Sequence, residues 1–292
     1  MTTSSIRDIA AAARSVLMTA DARAKASGGR SAAAAWRSGA LAMSTAADLP
    51  DRPARPAEPP LLAPRAVKKR KITEAPAGRI ALLHALAHIE LNAVDLAWDA
   101  LARFPEAGFP RAYIDDWVQV ADEESKHFLL LADRLEALGS RYGALPAHDG
   151  LWQAAAETMD DPLARHAVVP LVLEARGLDV TPAMVAKLRA VGDDASADIL
   201  QVVFEDEIGH VAVGKRWFDH LCIQRGLDPV STWQAIVRAR FRGGVKPPFN
   251  IPAREAAGFS AAFYGPLGDE YEAARRRHDR QPGVLSDGGN GR

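Results

Sequence analysis

Cysteine is almost absent from this chain, since Cys222 is the only one among 292 residues. A single cysteine excludes an intramolecular disulfide, and it excludes zinc or iron–sulfur sites that are built from several thiolates. Apolar runs of membrane-spanning length are lacking as well, and so is the apolar segment of a secretory signal near the N-terminus. We therefore expect a cytoplasmic protein that makes no contact with a membrane.

Strand-like alternation is lacking in the middle of the chain, where apolar residues instead recur at helical spacing. Proline and glycine divide this pattern into segments. Long helices are predicted over residues 75–104, 111–138, 161–177 and 193–225, and Thr181 and Pro182 predict the start of a short extra helix that reaches Val191. The predicted fold class is therefore all-α, with a four-helix bundle over residues 75–226.

The N-terminal part of the chain is predicted to be an addition to this bundle. Within a segment 1–30, the Ala-rich residues 6–26 predict one helix that ends near Gly28 and Gly29. Residues 31–74 form a Pro-rich, basic linker or strap, because closely spaced prolines exclude regular helix. This strap either wraps the bundle or moves freely.

The C-terminal part, residues 227–292, is predicted to be a helical cap with a disordered tail from about Arg280. Helical periodicity covers residues 229–241 and 252–264. Glycine and proline pairs between these two stretches indicate an extended element.

Charge is unevenly distributed, although the formal net charge is only −1. Both ends are basic and the middle is acidic, which suits a carboxylate-rich site in the middle. The basic cluster Lys68–Lys71 leaves RNA open as a partner. We favour the alternative that this cluster is a solvated face of the linker.

Two Glu-x-x-His motifs and two further glutamates stand out on the predicted helices. Because residues three apart share a helix face, each motif offers a carboxylate and an imidazole to one point. With the two single glutamates they form the ligand set by which a four-helix bundle holds two adjacent metal ions. The six residues are Glu90, Glu124, His127, Glu174, Glu207 and His210.

Each of these glutamates interrupts an apolar helix face. An ionised carboxylate buried alone is costly, so four of them on core faces require compensation, and metal cations supply it. An acid precedes each motif, Glu123 in one and Asp206 in the other, and is suited to accept the free N–H of a ligating imidazole. The alternative is a bundle with buried salt bridges and no metal, which this arrangement disfavours.

The order Glu, Glu-x-x-His, Glu, Glu-x-x-His resembles the ferritin-like di-iron carboxylate superfamily. His-Ile-Glu-Leu-Asn at 88–92 and Lys-Pro-Pro-Phe-Asn at 246–250 resemble, more specifically, a bacterial family of ferritin-like proteins whose nearest functional analogue is the tRNA-modifying di-iron hydroxylase. The resemblance covers about residues 60–265, and the N-terminal helix would then be a variable addition.

This resemblance implies that the six residues are the ligands of two iron ions or of a manganese–iron pair. Glu124 and Glu207 would bridge the two metals, and Glu90 and Glu174 would each bind one. Such a site reacts with dioxygen and needs an electron donor. The implied activity is that of an oxidase or hydroxylase acting on an unidentified substrate.

Two features of other ferritin-like proteins are lacking in this sequence, which narrows the range of possible activities. A rubredoxin-like cysteine cluster is lacking, which excludes the rubrerythrin plan, and no tyrosine lies near the ligand of the first long helix, which argues against a tyrosyl radical. Two alternatives remain. A ferroxidase or iron-handling protein would use the same ligands without an organic pocket, and a partner- or RNA-binding bundle would hold a structural metal.

Two features bear on access to the metals. Residues 243–264 carry four aromatic side chains and predict a lid over the site, or else a segment that packs on the outside of the bundle. Small residues near the ligands predict room for a pocket, or else only close approach of the helices. They are Ala87, Ala93, Ala121 and Gly214.

Overall fold

The computed structural model describes residues 6–44, 48–63, 66, 72–73 and 75–280, except the side chains of His278 and Arg280. The basic cluster Lys68–Lys71 and the predicted disordered tail beyond residue 280 lie outside the described residues.

The described part of the chain contains helices and no strand, as the all-α prediction states. In chain order the helices are α1 (Ile9–Leu17), α2 (Ala22–Arg37), α3 (Pro76–Arg103), α4 (Arg111–Ala137), α5 (Gly150–Ala156), α6 (Pro162–Val168), α7 (Ala175–Ala190), α8 (Asp194–Gln224), α9 (Pro229–Arg240), α10 (Ile251–Ala256) and α11 (Ala261–Arg280). A π-helical segment, Val169–Glu174, joins α6 directly to α7.

The long helices form the core of the protein. Helix α3 packs along α4, α7 packs along α8, and α4 also contacts α8. Aspartate caps mark the start of α8 and of α6, the short helix that leads through the π-helical segment into α7. The Asp161 carboxylate accepts a hydrogen bond from the Leu163 amide before α6, and the Asp193 carboxylate accepts one from the Ser196 amide before α8. Capping carboxylates satisfy amides that would otherwise lack a partner.

The predicted break at Thr181 and Pro182 is wrong, because α7 runs through both residues. Proline has no N–H for the carbonyl four residues earlier, which here belongs to Leu178. The side-chain amide of Asn250 donates to that carbonyl at 3.0 Å. The C-terminal segment therefore supplies the hydrogen bond that the proline cannot.

The predicted single helix over residues 6–26 is also wrong, because α1 and α2 are separate and α2 continues past Gly28 and Gly29. Asp21 starts α2 by accepting from the amide of Ala24. A Cβ atom on Gly29 would lie 2.8 Å from Ser125 Oγ, so glycine allows α2 to approach α4 closely. Consequently, the N-terminal part packs directly on the core, and residues up to 37 belong to helix rather than to the strap.

The described part of the strap, residues 48–63, is docked on the helices. Its Ala54 amide donates to the Leu17 carbonyl at 2.8 Å, and its Leu62 amide donates to the Ala147 carbonyl at 2.8 Å. Of the two alternatives for the strap, wrapping the core is correct for these residues.

At the C-terminal end, α9 packs on α6, α10 packs on α7 and α8, and α11 packs on α9. Residues 243–250 are not helical, as predicted. The helix predicted over 252–264 is instead two helices, since Gly258 adopts a φ of 71° between α10 and α11. A positive φ is accessible to glycine at little cost and ends the first helix.

Helix α3 is long and apolar enough to cross a membrane by length and composition, contrary to the expectation that no such run exists. However, 78% of its most apolar window is buried inside the protein. Packing against neighbouring helices therefore accounts for its apolar character.

Candidate metal centre

The six predicted ligand residues come together between four helical segments. Glu90 is on α3, Glu124 and His127 are on α4, and Glu207 and His210 are on α8. Glu174 is the last residue of the π-helical segment. Both histidines and all of these glutamates except the partly buried Glu174 are buried residues.

Glu124 lies at the centre of this group. Its Oε1 atom is 3.0 Å from Nδ1 of His210, and its Oε2 atom is 3.5 Å from Nδ1 of His127. Glu90 Oε2 is 3.4 Å from the same His127 nitrogen, and Glu207 Oε2 is 3.7 Å from Nδ1 of His210. The two oxygens of Glu124 thus face two different histidines, each with its own second glutamate.

The outer nitrogen of each histidine bonds an acid from the opposite helix. His127 Nε2 is 2.8 Å from Asp206 on α8, and His210 Nε2 is 2.9 Å from Glu123 on α4. A carboxylate on Nε2 keeps the proton there and leaves Nδ1 free to face the centre of the group. Asp206 and Glu123 therefore lie where they can accept the free N–H of a ligating imidazole, as predicted. Each of them contacts the histidine of the opposite helix and not the histidine of its own motif.

Many polar atoms of the group are buried without a hydrogen-bond partner among the described residues. Buried polar atoms are rarely left in this state, so a concentration of them marks a place for an ion or another polar ligand. They are Glu90 Oε2, both oxygens of Glu124, His127 Nδ1, Glu174 Oε2, Glu207 Oε2 and His210 Nδ1.

The spacing of these atoms fits a metal ion. One ligand atom each from Glu90, Glu124, His127 and Glu207 lies within 4.8 Å of all the others. Carboxylate oxygen and imidazole nitrogen are common ligands of first-row transition-metal ions such as iron and manganese. The buried Glu/His group can therefore hold a metal ion.

Without a cation, the group must take up protons to limit its charge. Burial, reinforced by neighbouring carboxylates, raises the pKa values of Glu90, Glu174 and Glu207. Burial also acts against ionisation of Glu124, but the two histidines outweigh it and lower the pKa of that carboxyl. Glu90, Glu174 and Glu207 therefore favour the protonated form when no cation is bound. A metal ion must displace these protons, so protons and metal compete for the same carboxylates.

The pKa values of the two histidines are determined by burial and by the surrounding carboxylates. Burial acts to lower the pKa values of His127 and His210, yet the surrounding carboxylates outweigh it and raise both pKa values well above the usual range. The hydrogen bond from His127 in turn lowers the pKa of Asp206 to about 2. The outer acid thus remains ionised at neutral pH.

A cavity of about 170 Å³ adjoins the group and is lined by all four glutamates, whereas neither histidine lines it. Its other walls come mainly from aliphatic residues of α3, α7 and α8, with Leu151 of α5 and parts of the π-helical segment. Ile89 lines the cavity and is 40% exposed, so the cavity reaches the surface beside α3. The carboxylate side of the group is accessible, and the histidine side is closed by protein.

The predicted lid is not found at this cavity, since no residue of 243–264 lines it. That segment packs against the outside of α7 and α8, where Arg254 binds Asp179 at 2.7 Å. Among the small residues that predicted a pocket, Ala93 alone lines the cavity. Gly214 instead permits close packing of the helices.

The π-helical segment was missed by the sequence prediction, although Pro170 is its signal. Proline within a helix removes one hydrogen bond and forces a local irregularity, and π-helical turns recur at functional sites. Here the irregular turn ends at Glu174. It therefore determines how this glutamate is presented to the group.

Gly214→Ala is expected to disturb this segment, because the new Cβ atom would lie 2.2 Å from Pro170 Cβ. We expect a loss of about 1–3 kcal/mol in the free energy of unfolding and weaker metal binding through displacement of Glu174. Urea unfolding and metal titration measure both effects. The matched control is Gly209→Ala on the same helix, where a Cβ atom meets nothing within 4 Å. Equal stability and equal metal affinity in the two variants would contradict the role of this contact.

The fold and the site define an all-helical protein with a buried carboxylate–histidine group that can hold a metal ion. The chain belongs to the family described as "Protein of unknown function (DUF455)", which matches residues 18–265. This match includes α2, so the prediction that family resemblance starts near residue 60 is corrected.

A relative from Haemophilus influenzae, named "Uncharacterized protein", is 42% identical over 210 residues, which cover 70% of this chain and 73% of the relative. No solved structure matches the chain.

Proposed function

We propose that this protein is a ferritin-like four-helix bundle with a dinuclear iron site that activates dioxygen, acting as an oxidase or hydroxylase. The observation that carries the proposal is the cavity beside the buried Glu/His group, with four glutamates in its wall and both histidines behind them. An enzyme of this class needs metal positions that are open towards a substrate pocket and fixed on the other side.

Two metal ions fit the arrangement better than one. Glu124 directs one oxygen towards His127 and the other towards His210. Each half then has its own imidazole and one glutamate of its own, Glu90 or Glu174, while Glu124 and Glu207 would be shared. Iron or a manganese–iron pair suits a donor set of mostly carboxylate oxygens with one imidazole for each metal.

The chain's own residues have definite roles in this proposal. Asp206 and Glu123 hold the Nε2 protons of the two histidines, so that Nδ1 of each is available as a ligand. The aliphatic cavity wall gives a substrate an apolar path from the surface beside α3 to the carboxylate side of the site. Iron ions, when bound, supply the redox chemistry that reduces dioxygen.

The stoichiometry of a hydroxylase requires an electron donor. A hydroxylase converts one C–H bond, one dioxygen, two electrons and two protons into one C–OH group and one water, so an external electron donor is needed. A ferroxidase would use the same ligands, but it would need a route for hydrated cations. The aliphatic walls of the cavity favour the oxidase or hydroxylase over the ferroxidase.

The test is anaerobic loading with Fe(II), metal analysis, and then exposure to dioxygen with spectroscopy and oxygen consumption as readouts. We expect two tightly bound ions per chain and consumption of dioxygen by the reduced protein. Zero or one bound ion would refute the dinuclear site. Two bound ions that remain reduced in air would refute the activation of dioxygen.

A further inference from the structure

We infer that the group oxidised at this site is an uncharged aliphatic one, and that it enters through the cavity beside the glutamates. This inference rests on the proposed function, because it concerns the substrate of the same site. Apart from the glutamates, the cavity offers almost only hydrocarbon to whatever enters. The rest of its wall is made mainly of leucine, isoleucine, valine and alanine side chains from α3, the π-helical segment, α7 and α8, with Met184 as the only thioether.

The size of the cavity sets the size of the buried group. A cavity of about 150 Å³ is large enough to hold a benzene molecule. The present cavity, of about 170 Å³, therefore accepts a short aliphatic chain or a branched group of similar size. A larger molecule can place only such a part inside, and the rest must lie outside, near the exposed side chain of Ile89.

Charge argues against an anionic group inside the cavity. Arg176 is the only cationic residue in its wall, and its side chain is 37% exposed. The Nη1 atom of this residue already donates to the carbonyls of Lys246 and Pro248. An anion inside would lose its hydration and would find no buried cationic side chain in the cavity wall to pair with, which is unfavourable.

A nucleobase is an equally poor occupant. Enzymes that bind a base in a pocket stack it on aromatic or apolar side chains and read its edge with hydrogen bonds. This cavity has no aromatic residue in its wall, and apart from Arg176 and the four glutamates, which the proposed function commits to metal, Thr181 is its only side chain with a hydrogen-bonding group. The basic flanks of the chain can contact a polyanion elsewhere, but the cavity does not read a base.

Binding of 1-hexanol to the full-length protein tests this inference, with hexanoate and adenosine as the anionic and nucleoside probes. Binding is measured by titration calorimetry and ligand-observed NMR, before and after metal loading. Anaerobic conditions prevent reaction with dioxygen, so the readout is binding and not turnover. We expect saturable binding of the alcohol and no binding of adenosine in the cavity. In the metal-free protein we expect at least tenfold weaker binding of hexanoate, since a bound metal would itself ligate a carboxylate.

Val203→Phe fills the cavity from α8, and we expect it to weaken the binding of 1-hexanol at least tenfold. The matched control is Val202→Phe, at the preceding residue of the same helix, which is 37% exposed and does not line the cavity. Its affinity for the alcohol should stay within twofold of the original protein. If Val203→Phe does not fold, Met184→Trp, which fills the cavity from α7, replaces it.

Three outcomes overturn the inference: no binding of the alcohol, equal binding in the filled and control variants, or adenosine binding that Val203→Phe removes. The last outcome would assign a nucleoside to the cavity instead. These results are distinct from failure of the proposed function. That failure would appear as missing metal or as a lack of reaction with dioxygen, whatever the alcohol does.

Discussion

Glu124→Ala is expected to abolish binding of both metal ions, whereas loss of a glutamate at the edge of the group should weaken binding in only one half. The reason is the position of Glu124, whose two oxygens lie 3.0 Å and 3.5 Å from Nδ1 of His210 and His127. A carboxylate shared by two positions cannot be removed from one of them alone. Metal analysis after Fe(II) loading should therefore give less than about one-tenth of the original content.

Two comparisons make this result specific. Glu205→Ala removes an exposed glutamate of α8 that accepts a hydrogen bond from Gln201, and it should leave the metal content unchanged. Glu124→Gln keeps the shape of the side chain and tests whether the loss comes from the missing charge rather than from a cavity. A folded Glu124→Ala variant that retains one full equivalent of metal would contradict the shared position of this carboxylate.

The composition of the site could be predicted from the sequence because helical spacing is regular. A glutamate and a histidine three residues apart share a face wherever the helix is unbroken, so the sequence alone pairs His127 with Glu124 and His210 with Glu207. That these pairs meet follows from their burial, since each interrupts an apolar face that must turn inwards. The structure brings all six predicted residues together, and metal analysis is the test of their role as ligands.

The parts that could not be predicted depend on contacts between helices. Spacing along α4 does not reveal that Glu123 serves His210 rather than its own motif, because this depends on how α4 and α8 pack side by side. The helical path through Pro182 likewise depends on Asn250, a residue far along the chain that donates to the Leu178 carbonyl, for which Pro182 has no N–H. Local rules on proline could not anticipate such a distant donor.

The N-terminal helices were predicted least well, and again a long-range contact explains why. Two consecutive glycines usually favour the end of a helix, but in α2 the second one, Gly29, lies against Ser125 and Trp98. Close packing of this kind stabilises a helix that its own residues would not sustain. The N-terminal part is therefore tied to the core, and the strength of that tie can be measured.

Asp95→Asn is expected to cause the largest loss of stability of any single substitution considered, about 3–5 kcal/mol in the free energy of unfolding. Asp95 on α3 is fully buried, and its two oxygens bind Lys25 of α2 at 2.5 Å and Arg55 of the strap at 2.9 Å. Lys25 is fully buried as well, and burial lowers its pKa although Asp95 acts to raise it. Removing the one carboxylate leaves two cations together in the interior, and the resulting cost is far greater than that of a lost surface pair.

Urea unfolding measures this loss, and two variants calibrate it. Lys25→Met leaves Asp95 paired with Arg55 and should cost less than Asp95→Asn. Asp133→Asn breaks an exposed contact with Arg23 and should change stability by less than about 1 kcal/mol. Because Asp95 joins α2 and the strap to α3, its replacement should also expose residues 38–60 to limited proteolysis before the long helices are cut. If Asp95→Asn were as stable as Asp133→Asn and equally resistant to protease, the buried charges of Asp95, Lys25 and Arg55 would have no net role in attaching the N-terminal part.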